Sequence, residues 1–155
     1  MTRITVAEES ADSADVQRCF EAYYSELGAL FGYAPDEALP LAVEDLKRPH
    51  GLVLLVREGE VGAAVGCGAL KLLDGEIAEI KRMWIDQRRR GQGLGGRLLD
   101  ELEAVAFAEG CSVIRLDSNG RLSAAIGMYR ARGYHEVAPF NAEPFATHWM
   151  EKRLR

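Results

Sequence analysis

The sequence predicts an α/β fold with one mixed, mostly antiparallel sheet of about seven strands, flanked by about four helices. Short apolar runs separated by glycine turns between positions 52 and 85 are typical of a β-meander. A strand, a glycine-rich turn, an amphipathic helix and a second apolar run then follow in the order of a βαβ crossover. With 155 residues, the chain is expected to form a single domain, residues 1–155.

Alternating or continuous apolar residues mark the strands. We predict seven: Arg3 to Val6, Leu52 to Val56, Val61 to Leu72, Glu76 to Ile85, Cys111 to Leu116, His135 to Val137 and Thr147 to Leu154. Glu58-Gly59-Glu60 and Asp74-Gly75 are the predicted turns between the meander strands.

Caps and glycines mark the helices. Asp12 or Ser13 can cap a helix that runs to about Leu30, with apolar residues on its inner face. Glycine and prolines break the next stretch, which we expect to hold a turn and a short helix from Leu41 to Lys47. The last two predicted helices are one from the glycine turn to Gly110 and one from Arg121 to Arg132, capped by Gly133.

Composition excludes several classes of protein. Nearly half of the residues are apolar and 28% are charged, which is typical of a soluble globular protein. No segment has the length of a membrane span, and the polar first ten residues lack the layout of a signal peptide, so we expect a cytoplasmic protein without a membrane partner. Scattered histidines and three separated cysteines predict no metal site, and Cys19, Cys67 and Cys111 are expected in the core.

Charge is unevenly distributed along the chain. Residues 1–50 carry ten acidic and four basic side chains, whereas residues 81–97 carry six basic side chains against Asp86 alone. The acidic half could be an ordinary solvated surface, or it could attract a cationic amine toward a turn that holds an anion. An acidic chain with one basic cluster is a poor candidate for nucleic-acid binding, and we expect none.

The segment from Lys81 to Gly95 is the most informative part of the sequence. It contains the end of a strand, a cationic turn and glycines at alternating positions where an apolar helix begins. Such a turn exposes backbone N–H groups at the positive end of a helix dipole, which is a site for phosphate.

Two classes of protein bind phosphate with such a glycine turn. Gly91-x-Gly93-x-x-Gly96 fits the dinucleotide fingerprint, with Asp117 near the place of its ribose-binding acid, but about 80 residues precede the turn and few strands can follow it.

The same turn resembles the signature of the GNAT (Gcn5-related) N-acetyltransferases. That signature is Gln or Arg, two residues, Gly, one residue, then Gly or Ala, and Arg90-Gly91-Gln92-Gly93-Leu94-Gly95 supplies it. The flanking segment Ala78 to Ile85 resembles the family's fourth strand, and Leu116 to Asn119 resembles the end of its fifth. Met128 to Tyr134 resembles the family's Leu-Tyr-x-x-x-Gly-Phe/Tyr helix end.

The resemblance implies an acetyl-CoA-dependent N-acetyltransferase that moves an acetyl group directly to a primary amine in a ternary complex. The closing segment, Val137 to Leu154, resembles a bacterial subgroup that is sometimes fused to MarR-type regulators. The implied acceptor is a small-molecule or peptide amine, and a homodimer is left open. A non-catalytic acyl-CoA-binding sensor or scaffold is the alternative function.

Amide formation needs an unprotonated amine, stabilisation of an oxyanion and a proton for the departing thiolate. Tyr129 is the predicted general acid, because a phenol with an ordinary pKa near 10 can protonate a thiolate and the resemblance places it beside the CoA sulfur. Glu79 is the predicted general base, directly or through water, and strand alternation puts it on one face with Lys81 and Met83. A salt bridge between Glu79 and Lys81 is the structural alternative.

The remaining predicted site residues contact acetyl-CoA. By resemblance, the turn holds the pyrophosphate, with Arg90 best placed among three consecutive arginines. The backbone near Met83, Trp84 and Ile85 is expected to bind the pantetheine arm through a bulge. Asn119 is either a pantetheine contact or a helix cap. The predicted cofactor-binding set is Met83, Trp84, Ile85, Arg90, Gly91, Gln92, Gly93, Leu94, Gly95, Gly96 and Asn119.

Overall fold

A computed structural model describes residues 3–32, 40–74 and 76–155. Its seven strands are β1 (Ile4–Glu9), β2 (Gly51–Glu58), β3 (Ala63–Leu73), β4 (Ile77–Ile85), β5 (Val113–Ser118), β6 (His135–Glu136) and β7 (His148–Arg153). Its three α-helices are α1 (Ala14–Phe31), α2 (Leu94–Ala108) and α3 (Ser123–Ala131). No helix among the described residues is long and apolar enough to cross a membrane.

The strands form one sheet in the order β1-β2-β3-β4-β5-β7-β6. Every neighbouring pair is antiparallel except β4 and β5, which are parallel. Because α2 connects these two strands, the segment is the βαβ crossover that the sequence predicts. The mixed, mostly antiparallel seven-stranded sheet is confirmed.

Each face of the sheet has its own core. On one face, α2 and α3 bury leucines of α2 together with Ile126 and Tyr129 against residues of β2 to β5. On the other face, α1 buries Val16, Cys19 and Phe20 against β2 and β3. The three cysteines are buried and free, and two of them lie in this second core.

Local signals explain where the helices begin and end. The side chain of Ser13 accepts a hydrogen bond from the Val16 backbone N–H and caps α1, which ends at Gly32 in the left-handed conformation. The fourth predicted helix, Leu41 to Lys47, is present as a shorter 3-10 helix at Val43–Leu46. Residues 33–39 and Gly75, on which parts of two predicted turns fall, lie outside the described residues.

Candidate active site

The strands β4 and β5 separate partway along their length. Their parallel pairing runs from Ile77 and Val113 to Glu79 and Arg115 and then ends. Beyond this point β5 stays paired with β7, and β4 stays paired with β3. The backbone groups of β4 that face the gap are therefore not used by the sheet, and Glu79 marks the apex of a V-shaped opening.

Two cavities meet at this opening. The splay cavity, about 250 Å³, lies between the diverging strands and includes Glu79, Lys81 and Asp117 in its lining. The turn cavity, about 480 Å³, lies between the end of β4, the glycine turn and α3. Six residues line both cavities: Tyr23, Leu27, Met83, Leu122, Ala125 and Tyr129. The two cavities therefore adjoin at these side chains.

The glycine turn has the geometry of an anion site. Gly91 and Gly93 both have φ of 80°, and Gly93 precedes α2 without a side-chain cap. A Cβ atom placed on either glycine would meet nothing within 4 Å, so the space above them is open. The first N–H groups of α2 thus face open space at the positive end of the helix. The predicted Gly91, Gly93, Leu94, Gly95 and Gly96 line the turn cavity, whereas the side chain of Gln92 does not.

Arg90 lines the turn cavity and is already held by the protein. Its Nε donates to the carbonyl of Ile85 at 3.0 Å, and its Nη2 lies 2.8 and 2.7 Å from the two carboxylate oxygens of Glu26. The bond to Ile85 ties the turn to the end of β4. A phosphate at this place would compete with Glu26 for the guanidinium.

The neighbouring arginines differ in their surroundings. Arg88 is exposed, pairs with Asp86 and does not line the cavity. Arg89 lines it and pairs with Glu58. Sequence reasoning missed Arg121, which lines the turn cavity from the segment just before α3 and lies outside the GNAT motifs.

Tyr129 lies in the wall shared by the two cavities. It is 7% exposed, and its hydroxyl donates to the sulfur of Met83 at 3.8 Å, a weak hydrogen bond. Burial, with a smaller contribution from the charge of Asp117, raises the pKa of Tyr129 to about 12. The phenol is therefore protonated throughout the neutral range, as a proton donor must be.

The raised pKa of Tyr129 gives a prediction about the alkaline limb of activity. An acid loses function as pH rises through its pKa, so the raised pKa moves this loss upward from the ordinary tyrosine value of about 10. We expect kcat to show no decline attributable to Tyr129 up to about pH 10. A kcat profile with an alkaline loss near pH 9 that Tyr129→Phe abolishes would contradict this.

Glu79 is buried, with 5% exposure, and lies between two cations. Its Oε1 is 3.6 Å from Nε of Arg115 and 3.8 Å from Nζ of Lys81. Lys81 also lies 3.5 Å from Asp117, which in turn accepts a hydrogen bond from Asn141. The salt bridge that the sequence offered as a structural alternative is thus present, and the carboxylate also lines the splay cavity, where it can accept a proton.

A β-bulge interrupts β4 just after these residues. Cys67 pairs with Trp84 and Ala69 pairs with Lys81, so β4 contains one extra residue at this point. Arg82 has φ of 53°, a left-handed conformation that is uncommon for a residue with a side chain. The thiol of Cys67 donates to the carbonyl of Arg82 at 3.3 Å.

The bulge reverses the side-chain alternation. The prediction that Met83 shares a face with Glu79 and Lys81 was wrong, because the extra residue turns Met83 and Ile85 to the opposite side of the sheet. Both pack in the core beneath α2, where Met83 meets Tyr129. Side-chain alternation along a strand predicts the face of each residue only where no bulge inserts an extra residue.

Trp84 and Asn119 have distinct surroundings. Trp84 lines the turn cavity and packs on the core beneath α1, and its buried indole N–H has no partner among the described residues. Asn119 donates to the carbonyl of Phe145 and accepts from the N–H of Arg121, two residues ahead. It lines the splay cavity and is not the cap of α3, which is Leu122.

Comparison with known proteins decides between the two classes that use such a turn. The sequence pattern of the acetyltransferase (GNAT) family matches residues 16–134. The chain belongs to the GNAT family. It is an acetyl-CoA-dependent N-acetyltransferase, and the dinucleotide interpretation of the glycine turn is set aside.

Relatives with known names agree with GNAT membership over the full length. An IAA acetyltransferase from Azospirillum brasilense is 32% identical over 99% of this chain and 100% of its own. Among solved structures, a GNAT-family acetyltransferase from Staphylococcus aureus has a TM-score of 0.81 with 17% identity, covering 99% of this chain and 100% of that one. Spermidine N-acetyltransferase from Vibrio cholerae, solved with CoA and spermine, has a TM-score of 0.72 with 12% identity, covering 97% and 95%. These relatives do not bear out the link to MarR-type fusions.

The residues of the turn cavity fit the cosubstrate of a GNAT enzyme. Open space above Gly91 and Gly93, free N–H groups at the start of α2 and three arginines suit a pyrophosphate. Among the described residues, no group of three or more potential metal-ligating side chains is found.

The acidic half of this GNAT chain does not surround the splay cavity. Of the described acidic residues in the first fifty, only Glu26 lines either of the two cavities, and Asp36 and Glu37 lie outside the described residues. Six of them form ion pairs with arginine or lysine: Glu8, Glu9, Asp12, Asp15, Glu26 and Glu44. The ion pairs and positions of these acids favour the first alternative, that residues 1–50 carry an ordinary solvated acidic surface. They give little support to the second, that these residues attract a cationic acceptor.

Proposed function

We propose that the protein acetylates the primary amine of a small molecule, with Tyr129 as general acid and Glu79 as general base. The observation that carries this proposal is the place of Tyr129 in the wall shared by the two cavities, with Glu79 at the apex of the splay cavity. Acetyl-CoA supplies the acetyl thioester. The turn cavity would hold its phosphates, and the splay cavity would hold the amine.

The backbone of β4 would position the reacting end. The groups of β4 beyond Glu79 that face away from β3 are free to bond the pantetheine arm, and the N–H groups near Met83, Trp84 and Ile85 can polarise a carbonyl. The bond from Arg90 to the carbonyl of Ile85 fixes this end of the strand relative to the glycine turn.

The two proton carriers occupy suitable environments. The hydroxyl of Tyr129 can give its proton to the leaving sulfur, since burial keeps it protonated at neutral pH. Glu79 can take a proton from the ammonium group of the acceptor, directly or through water, which leaves the neutral amine to attack the thioester carbonyl. Lys81 and Arg115 lie next to Glu79 and pair with its carboxylate. This arrangement requires one chain, and a homodimer is not needed for it.

The experiment that tests the proposal is a panel of amines with acetyl-CoA, followed by release of CoA and by the mass of the product. We expect a product heavier by one acetyl group for at least one amine. Tight binding of acetyl-CoA without CoA release for any amine would instead support the non-catalytic sensor or scaffold, which nothing in the site favours.

Replacing Glu79 with Gln is expected to lower kcat/KM and to flatten its rise with pH. The amide has nearly the same shape but cannot accept the ammonium proton, so the acetyl-CoA affinity should be unchanged while the rate falls by about 10²-fold. The measurement is a pH profile of kcat/KM for both proteins.

Asp117→Asn is the matched control for Glu79→Gln. Asp117 lines the same cavity and also pairs with Lys81. If Glu79 acts only through that lysine, the two variants should have similar profiles. A full rising limb in Glu79→Gln would show that water or another group is the base.

A further inference from the structure

Two positive side chains in the splay cavity lack a carboxylate partner in the described part of the chain. They are Arg82 and Lys71, and neither lines the turn cavity, so the phosphates of acetyl-CoA do not explain them. The acidic residues of the same cavity are in the opposite situation. Glu79 and Asp117 both pair with Lys81, and the remaining one, Glu143, also has a partner.

Arg82 is held firmly at the wall of the cavity. Its guanidinium lies 4.6 Å from the ring centre of Phe20 and 5.1 Å from that of Tyr24. Nε donates to the hydroxyl of Tyr24 at 2.9 Å, and Nη2 donates to the carbonyl of Leu41 at 3.2 Å. A guanidinium has five N–H donors, so Arg82 keeps donors for a ligand.

The backbone conformation of Arg82 is a second observation that points to a ligand-binding role for its side chain. This residue holds the left-handed conformation at the bulge, which glycine would adopt without strain. Strained non-glycine residues cluster at sites where the side chain has a function. The strain and the missing carboxylate partner are independent observations on one residue.

Lys71 lies beside Glu79 on the neighbouring strand. The two residues are directly paired in the register of β3 and β4, yet the ammonium of Lys71 forms no ion pair with that carboxylate. Lys71 and Arg82 thus place positive charge along the same cavity as the proposed base. Positive charge close to an amine lowers its pKa and favours the neutral form that attacks a thioester.

Much of the remaining lining of the splay cavity is apolar or aromatic. It is formed by side chains of α1 and of the segment that follows it: Tyr23, Tyr24, Leu27, Phe31, Pro40 and Leu41. Tyr24 and Leu41 also contact Arg82. An acceptor that fits this cavity therefore presents an anion to Arg82 and Lys71 and an apolar group to this lining.

We propose that the amine acceptor carries a carboxylate, which Arg82 binds with the help of Lys71, and that the acceptor class is an amino acid with an apolar side chain. The planar fork of a guanidinium matches the two oxygens of a carboxylate. This inference rests on the proposed function, since it assigns the acceptor to the splay cavity.

The test compares amino acids with their amides. Calorimetry on the protein saturated with CoA measures the affinities of two amino acids and of their amides. The amino acids are L-leucine and L-phenylalanine, and the amides are L-leucinamide and L-phenylalaninamide. We expect the carboxylates to bind about tenfold tighter or more, as for a charge-assisted hydrogen bond. The amine of each amide is the more easily deprotonated, so a preference for the carboxylate cannot arise from the amine. Equal affinities, or no binding of either set, would overturn the inference.

Variants assign the preference to its residues. Arg82→Gln should abolish the difference between carboxylate and amide, and Lys71→Gln should reduce it, while both proteins keep their affinity for acetyl-CoA. Arg153→Gln removes a positive charge from an exposed position of β7 outside both cavities and should leave the difference unchanged. If Arg82→Gln fails to fold, Lys71→Gln still decides, and a full preference retained in it would count against the proposal.

Binding and turnover separate this inference from the proposed function. Amino acids that bind more tightly than their amides but are never acetylated would contradict the roles of Tyr129 and Glu79. The proposed carboxylate site would then still be supported. If the amides and the amino acids bind with equal affinity and are acetylated at equal rates, the carboxylate site is contradicted. The proposed roles of Tyr129 and Glu79 are not affected by that result.

Discussion

Gly93→Val is expected to abolish binding of acetyl-CoA while the domain still folds. Gly93 immediately precedes α2 with φ of 80°, and a side chain there would project into the open space that a pyrophosphate would take. Valine also resists the left-handed conformation, so the turn itself would deform. Calorimetry with acetyl-CoA measures the loss, and thermal unfolding monitors the fold.

Gly110→Val is the matched control for this variant. Gly110 lies just past the other end of α2 with φ of 91°, has open space around its Cβ position and lines neither cavity. The two substitutions impose the same kind of backbone strain on the two ends of one helix. We expect both to lower the melting temperature and only Gly93→Val to lose the ligand. Unchanged acetyl-CoA affinity in Gly93→Val would refute the pyrophosphate assignment.

Tyr129→Phe should reduce kcat by about 10²-fold or more, the usual size of a general-acid contribution, with little change in acetyl-CoA affinity. The ring keeps its packing in the core beneath α2, and only the hydroxyl beside Met83 is removed. Because that hydroxyl makes only a weak bond to sulfur, the stability of the domain should hardly change. Steady-state kinetics and calorimetry on the same preparation separate the two quantities.

The neighbouring Tyr134 supplies the control. Its ring centre lies 5.7 Å from that of Tyr129, it is equally buried, and its hydroxyl bonds to Glu103 away from both cavities. Tyr134→Phe should cost stability of about 1 kcal/mol from the lost hydrogen bond and leave kcat unchanged. Equal turnover in Tyr129→Phe and the parent protein would make Tyr129 a core residue and assign the leaving-group proton to water.

The sequence predicted the parts of the fold that depend on local periodicity and on glycine. The leucines of α2 repeat on one face, and the glycines at both ends of that helix have the positive φ that other residues avoid. The order of strand, turn, helix and strand then determines which two strands are parallel. These are short-range signals, and the structure confirms them.

Long-range features were harder to predict. The bulge at Arg82 depends on how β4 registers against β3, which single-strand periodicity does not report. The pairing of Arg90 with Glu26 is set by tertiary placement, so spacing alone could not show which of the three consecutive arginines meets an acid of α1. The short helix after α1 was predicted over Leu41 to Lys47, and only its middle, Val43–Leu46, forms a 3-10 helix.

The inserted residue at Arg82 divides β4 into two parts whose side chains face different surroundings. Before it, Glu79 and Lys81 line the splay cavity, and after it Met83 contacts the buried hydroxyl of Tyr129. Deleting one residue here would turn every later side chain of the strand to the opposite face of the sheet, without changing any other part of the chain. Under the proposed function, the first half of β4 therefore faces the amine and the second half faces the thioester, so each half answers to a different substrate.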